Sequence, residues 1–211
     1  GLAGRDLVVQ AQTGSGKTVA FGLPVLAGLN ARDFGTQALI LCPTRELAAQ
    51  VATEIRRLAR ALPNLKVVVL CGGQPMGPQI GSLAHGAHIV VGTPGRIKDH
   101  LRKQTLALPR LKTLVLDEAD RMLDMGFRDD MTDIISETPS SRQTLLFSAT
   151  FPDDIAAISA QYQRSPERIT VSTQVAGDQI AQVFVRTQRQ EKTQALINLI
   201  QSYQPSAAVI F

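Results

Sequence analysis

The chain has 211 residues, 44% of them hydrophobic and 19% charged, which suits one or two globular domains with a sizeable core and excludes a disordered or fibrous chain. Twenty-two Lys plus Arg against 18 Asp plus Glu leave a formal charge of +4, a balance that leans towards anionic partners. No apolar run approaches the roughly 18 residues of a membrane span, and residues 1–30 lack the order of a signal peptide, so no membrane partner is expected and a cytoplasmic protein is.

Short runs rich in Val, Leu and Ile recur at 7–11, 38–42, 66–71, 88–92, 113–117, 143–147 and 167–171, separated by longer amphipathic stretches. Strands alternating with helices predict an α/β fold with a mostly parallel sheet, and runs apolar throughout predict helices on both of its faces. After the second run, Thr44 stands where an N-cap belongs, and Leu47, Val51, Ile55, Leu58 and Leu62 share one helical face. Cys42 and Cys71 each end an apolar run and read as buried free thiols. His85, His88 and His100 lack the acidic or cysteine neighbours of a zinc site and read as structural or surface residues. Met122, Met125 and Phe127 read as helix-packing residues. Residues 172–179 are polar, aperiodic and contain Gly, as a linker would. Strand-like 183–185, helix-like 189–203 and a final apolar run at 207–210 then suggest the start of a second unit. An apolar strand at either chain end would leave an unprotected edge, so the chain reads as part of something longer.

The first run leads straight into Gln12, Thr13, Gly14, Ser15, Gly16, Lys17 and Thr18, and then into an apolar helix. The two glycines allow a tight turn whose amides point at phosphate oxygens, and the helix N-terminus adds partial positive charge. Lys17 is placed to reach β and γ phosphates, and the Thr18 hydroxyl to complete a Mg²⁺ shell. Ala11 stands where the general phosphate-loop pattern has Gly. The plain alternative is a glycine-rich turn with a surface lysine. Such a site also needs a carboxylate at the end of a neighbouring strand, and the run at 113–117 ends in Asp117 and Glu118. Asp117 is the metal-side candidate and Glu118 the candidate for orienting or deprotonating water. Alone, this pair would read as a solvated helix start.

AQTGSGKT at 11–18, PTRELA at 43–48, Gly72 with Gly73, TPGR at 93–96, DEAD at 117–120 and SAT at 148–150 occur in the order that resembles the DEAD-box RNA helicases. The resemblance covers nearly all of residues 1–170 and accounts for Ala11. The strings CGGQP and RMLDMGF resemble in particular the bacterial DbpA-type subgroup associated with ribosomal RNA. It implies a recombinase-like domain over 1–172 without an upstream adenine-recognition segment, a linker over 173–181 and an incomplete second helicase domain over 182–211. It also implies an ATP hydrolase in which Ala11, Gln12, Thr13, Gly14, Ser15, Gly16, Lys17 and Thr18 bind ATP, and Thr18 and Asp117 serve Mg²⁺. Lys17, Asp117 and Glu118 would be catalytic. Asp120, Ser148, Ala149 and Thr150 would couple nucleotide state to domain closure. Pro43, Thr44, Arg45, Gly73, Thr93, Gly95 and Arg96 would line an RNA path that grips the sugar-phosphate backbone. The implied partners are RNA and, through the subgroup, ribosomal RNA or pre-ribosomal particles. Without the arginines of a second domain the chain alone is expected to be nearly inactive. A phosphate-loop ATPase acting on DNA and a non-hydrolysing RNA-binding module are the rival readings.

Overall fold

The computed structural model describes residues 1–12, 14–171 and 183–210. The linker expected at 172–179 lies outside the described residues, as does Thr13 of the glycine loop. Backbone contacts divide the chain into two units, 1–173 and 174–211.

The first unit is a seven-stranded, all-parallel sheet in the order β3-β4-β2-β5-β6-β1-β7. Its strands are β1 (Leu7–Gln10), β2 (Ala38–Leu41), β3 (Val67–Leu70), β4 (Ile89–Gly92), β5 (Thr113–Leu116), β6 (Gln143–Ser148) and β7 (Glu167–Thr170). The helices between them are α1 (Lys17–Ala27), α2 (Arg45–Leu58), α3 (Met76–Ala84), α4 (Pro94–Arg102), α5 (Ala119–Asp124), α6 (Arg128–Ser136) and α7 (Asp153–Tyr162). Parallel strands need long crossovers, and helices supply them here as the alternation predicts. Strand residues feed two separate apolar clusters, one on each face: Leu39, Leu41, Leu114 and Leu116 on one, Ile40, Val91, Val115 and Phe147 on the other. The α/β class and the parallel sheet expected from the apolar runs are therefore observed.

Thr44 caps α2, its hydroxyl accepting from the Leu47 amide at 3.2 Å. Val51 and Ile55 are buried as the periodicity requires, but Leu62 is exposed. The α-helix stops at Leu58 and a 3₁₀ turn follows at Ala59–Ala61. Pro63 comes next, and a residue before proline is pushed to extended backbone, which swings Leu62 off the helical face. The last run also differs from expectation: β7 is exposed along its whole length, being an edge strand that among the described residues is bonded only to β1. Cys42 and Cys71 are free and buried.

In the second unit the described residues form a 3₁₀ turn at Arg189–Glu191 and helix α8 (Lys192–Tyr203). Residues 183–185 and 207–210 are not strands. A strand needs a neighbour to satisfy its backbone, and this unit offers none among the described residues. No helix among the described residues is long and apolar enough to cross a membrane.

Candidate functional site

Every motif singled out in the sequence lies just past the carboxyl end of a strand, the edge where open α/β sheets bind ligands. Strand order divides that edge in two. β5, β6 and β1 are neighbours and carry the carboxylates, the SAT motif and the glycine loop; β3, β4 and β2 carry Gly72–Gly73, TPGR and PTRELA.

On the first half, Gly14 and Gly16 take φ of 83° and 84°, the left-handed region that glycine enters without strain. Helix α1 begins at Lys17. Gly14, Gly16, Lys17, Thr18, Asp117 and Glu118 line one cleft of about 590 Å³, whose far wall is Gln50, Thr53 and Glu54 of α2. Nothing in the sequence signalled that wall, since those residues sit on the polar side of an ordinary amphipathic helix. Ala11 and Lys17 are buried, while Gln12 and Ser15 are exposed beside the cleft, the Ser15 hydroxyl donating to the Gln12 carbonyl at 2.7 Å.

Lys17 Nζ and Asp117 Oδ1 are both buried without a hydrogen-bond partner among the described residues. Burial, opposed by the Lys17 cation and reinforced by the Glu118 charge, pushes the Asp117 carboxyl up to about 6. Glu118 holds a left-handed backbone at φ 51°, and its carboxylate lies 3.4 Å from the Arg121 guanidinium. Asp120 has the opposite environment. Its Oδ2 accepts from the Ala149 amide at 3.2 Å and from both the amide and hydroxyl of Thr150 at 2.9 Å. Its own amide donates to the Ser148 hydroxyl at 3.3 Å. Burial alone would raise this carboxyl, yet the Thr150 amide and hydroxyl hold it below its ordinary value. The structure thus brings Asp120 together with Ser148, Ala149 and Thr150.

On the second half, Pro43, Thr44, Arg45, Gly73 and Thr93 line a separate cleft of about 480 Å³ with Met125 and Phe127. Gly73 has φ 73°, the left-handed region that glycine enters without strain, and it lies beside the Arg45 guanidinium. Arg96 does not join that lining. Its two terminal nitrogens each donate to the Gln74 carbonyl at 3.0 Å, and its side chain is only 12% exposed. Gly95 sits beside it in the first turn of α4. Met122 packs in the core and Phe127 against it, but Met125 is 49% exposed. It caps α5 and precedes Gly126 at φ 82°, a left-handed turn that leaves it outside while Phe127 returns inwards.

Residues 1–158 match the family profile described as DEAD/DEAH box helicase. The chain belongs to the DEAD/DEAH box helicase family. Its order of motifs and its sheet agree with that membership throughout the first unit. The chain is 58% identical over 210 residues to the ATP-dependent RNA helicase DbpA of Escherichia coli, covering all of this chain and 46% of that protein. It is 47% identical to the ATP-dependent RNA helicase CshA of Listeria monocytogenes, again across the whole chain and 41% of the relative. It superposes on a DEAD box protein from Methanococcus jannaschii with a TM-score of 0.76 and 42% identity, over 93% of this chain and 53% of the other. A hypothetical ATP-dependent RNA helicase from Sulfolobus tokodaii gives 0.73 and 40%, over 81% and 49%. The chain thus spans about half the length of the DEAD/DEAH box relatives it matches. Among the described residues, no three His, Cys, Asp or Glu side chains group as a metal site. His88 and His100 are buried and hydrogen-bonded, and His85 is exposed.

Proposed function

We propose that this chain is the ATP-binding half of an ATP-dependent RNA helicase, with 1–172 as its recombinase-like domain, 173–181 as linker and 182–211 as the beginning of a second domain. The observation that carries the reading is the pair of buried groups without hydrogen-bond partners among the described residues, Lys17 Nζ and Asp117 Oδ1, on one cleft. A buried ammonium without a partner is unfavourable in the free protein and complements a triphosphate. The residues fit Mg²⁺ as well: one buried carboxylate oxygen and the Thr18 hydroxyl suit a cation that completes its shell with phosphate oxygens and water. Held by Asp117 and Thr18, a Mg²⁺ ion would supply neutralisation of the triphosphate charge.

The amides of residues 14–18 and the α1 N-terminus cradle the triphosphate, with Ala11, Gln12 and Thr13 leading into the loop. Lys17 holds the terminal phosphates. Glu118 orients the attacking water and takes up its proton. Asp120 ties the carboxylate motif to Ala149 and Thr150, so that a shift at one is felt at the other. RNA runs past Pro43, Thr44, Arg45, Gly73, Thr93 and Gly95, with Arg96 behind the Gly73 loop. Among the described residues Lys17 is the one cation lining the cleft, so efficient turnover requires an arginine from outside this unit and the chain alone is nearly inactive. Ribosomal RNA and ribosome assembly in the cytoplasm are the proposed setting, supported by the identity to DbpA and the strings CGGQP and RMLDMGF.

Phosphate release by the full-length protein, measured with single-stranded RNA, ribosomal RNA and DNA of equal length, tests the reading. Strong Lys17-dependent stimulation by RNA, greatest with ribosomal RNA, is the expected result. Equal stimulation by DNA would favour a DNA-acting ATPase, and no turnover at all a binding module.

A further inference from the structure

Helix α3 is packed the wrong way round for an apolar stripe: Ile80 is exposed, and Gln79 is the residue it buries. A buried primary amide must find partners or be strongly unfavourable. Gln79 Nε2 donates to the Cys71 carbonyl at 3.0 Å, and Oε1 lies 3.1 Å from His100 Nε2. A main-chain carbonyl can only accept, so the NH₂ group of Gln79 must face Cys71 and its oxygen must face His100. His100 Nε2 therefore carries a proton. Burial, aided by the nearby Arg96 cation, holds the imidazole below its ordinary value, so the ring is neutral and Nδ1 accepts from the Thr105 hydroxyl at 2.8 Å.

These bonds form a directed relay from the last turn of α4, through α3, to Cys71, the residue that follows β3 and precedes Gly72 and Gly73. Three residues after Cys71, Arg96 clamps the Gln74 carbonyl. The four-residue loop 71–74 is thus held at both ends, with Gly73 in its left-handed conformation against Arg45 between the clamps. Gly72 and Gly73 line the 480 Å³ cleft; Gln79 and His100 do not.

We propose that Gln79, oriented by His100, is a positioning residue for nucleic-acid backbone recognition, fixing Gly72 and Gly73 through the Cys71 carbonyl. The inference rests on the reading of that cleft as the RNA path. A purely space-filling role would require only the volume of the Gln79 side chain, which methionine reproduces without its hydrogen bonds.

The test uses Gln79→Met and His100→Phe in the full-length protein, with Arg45→Ala as the reference for a direct contact. His100→Phe leaves Gln79 in place, and the Thr105 hydroxyl, released from Nδ1, can donate to the residue 100 carbonyl 3.2 Å away, so this variant serves if Gln79→Met does not fold. The expected result is a rise of about fivefold in the RNA concentration for half-maximal ATPase, as one buried hydrogen bond predicts, with unchanged maximal rate and unchanged nucleotide affinity. Amide exchange at Gly72 and Gly73 is expected to speed up by at least about fivefold while Val9 and Leu114 stay protected. Unchanged RNA affinity in both variants, with Arg45→Ala weakened, would overturn the positioning role and leave the RNA path standing. Unchanged RNA affinity in Arg45→Ala would overturn both. A parallel loss of RNA and nucleotide affinity would show a general structural role instead.

Discussion

The two halves of the sheet's carboxyl edge are built from the same parts, a strand end, a glycine turn and a helix start, yet they are electrostatically unlike. At β1, β6 and β5 a buried ammonium and a buried carboxylate oxygen face a cleft with no partners among the described residues. At β3, β4 and β2 one cation is already engaged, Arg96 on the Gln74 carbonyl, while Arg45 lines the cleft beside Gly73. The first half is left under electrostatic tension that a bound anion and cation relieve, so ligand binding there changes its energy steeply. The second is a pre-set shape that presents loop backbone to a strand. Asp117 and Asp120, three positions apart, repeat the contrast within one motif, the first raised by burial and the second held down by donors from β6 and the residues after it.

The contrast breaks most visibly at Glu118. Glu118→Gln keeps the shape of the side chain and removes its basicity, so hydrolysis in the full-length protein should fall by about 10² to 10⁴ with nucleotide affinity preserved. Single-turnover phosphate release beside a labelled-nucleotide titration reads both; equal loss of the two would erase the division between holding phosphate and activating water.

Asp117 sharpens it through pH. Its folded value near 6 lies above its unfolded value near 3.8, so the ligand-free native state holds an extra proton between those limits. Its contribution is a penalty above pH 6 that is relieved as pH falls towards 4. Asp117→Asn should therefore stabilise the ligand-free chain at pH 7 by about 2–3 kcal/mol and flatten this part of the profile. Urea midpoints from pH 4 to 8 check it.

Asp120 should behave with the opposite sign. Its folded value is lowered, so its contribution is present above about pH 4 and is lost as pH falls through the folded value. Asp120→Asn turns one acceptor into a donor facing the Thr150 amide, and a loss of about 1–2 kcal/mol is expected in the same unfolding series.

On the half proposed to carry RNA, Arg45→Ala should weaken binding of unrelated RNA sequences to the full-length protein by a similar, smaller factor, about fivefold to tenfold, and reduce the salt slope by roughly one counterion. Fluorescence anisotropy against two unrelated oligonucleotides at several salt concentrations measures it. Loss confined to one sequence would mean that bases are being read.

Much of this was legible in the sequence because the signals were local. β-branched runs placed the strands within a residue or two, Thr44 marked its helix, and Gly14 with Gly16 could serve only where left-handed backbone is needed. What stayed hidden depended on packing between elements distant in the chain. Arg96 reads as a free phosphate ligand until the Gln74 carbonyl is seen in front of it, and Met125 reads as core until Gly126 turns the chain. Gln79 has no signal at all, being a polar residue beside an isoleucine whose burial is inverted. The wall formed by Gln50, Thr53 and Glu54 likewise needs α2 to be placed against the glycine loop before it means anything.

The central claim, that the cleft of Lys17 and Asp117 is shaped for a magnesium-bound triphosphate, is tested most directly by one comparison on Lys17→Met. This substitution keeps most of the apolar stem and removes the buried charge. Titration with labelled ATP in Mg²⁺ should show affinity lower by at least about a hundredfold, with thermal unfolding without nucleotide reporting that the variant folds. A variant that folds as before and binds nucleotide within about twofold of its parent would contradict the account.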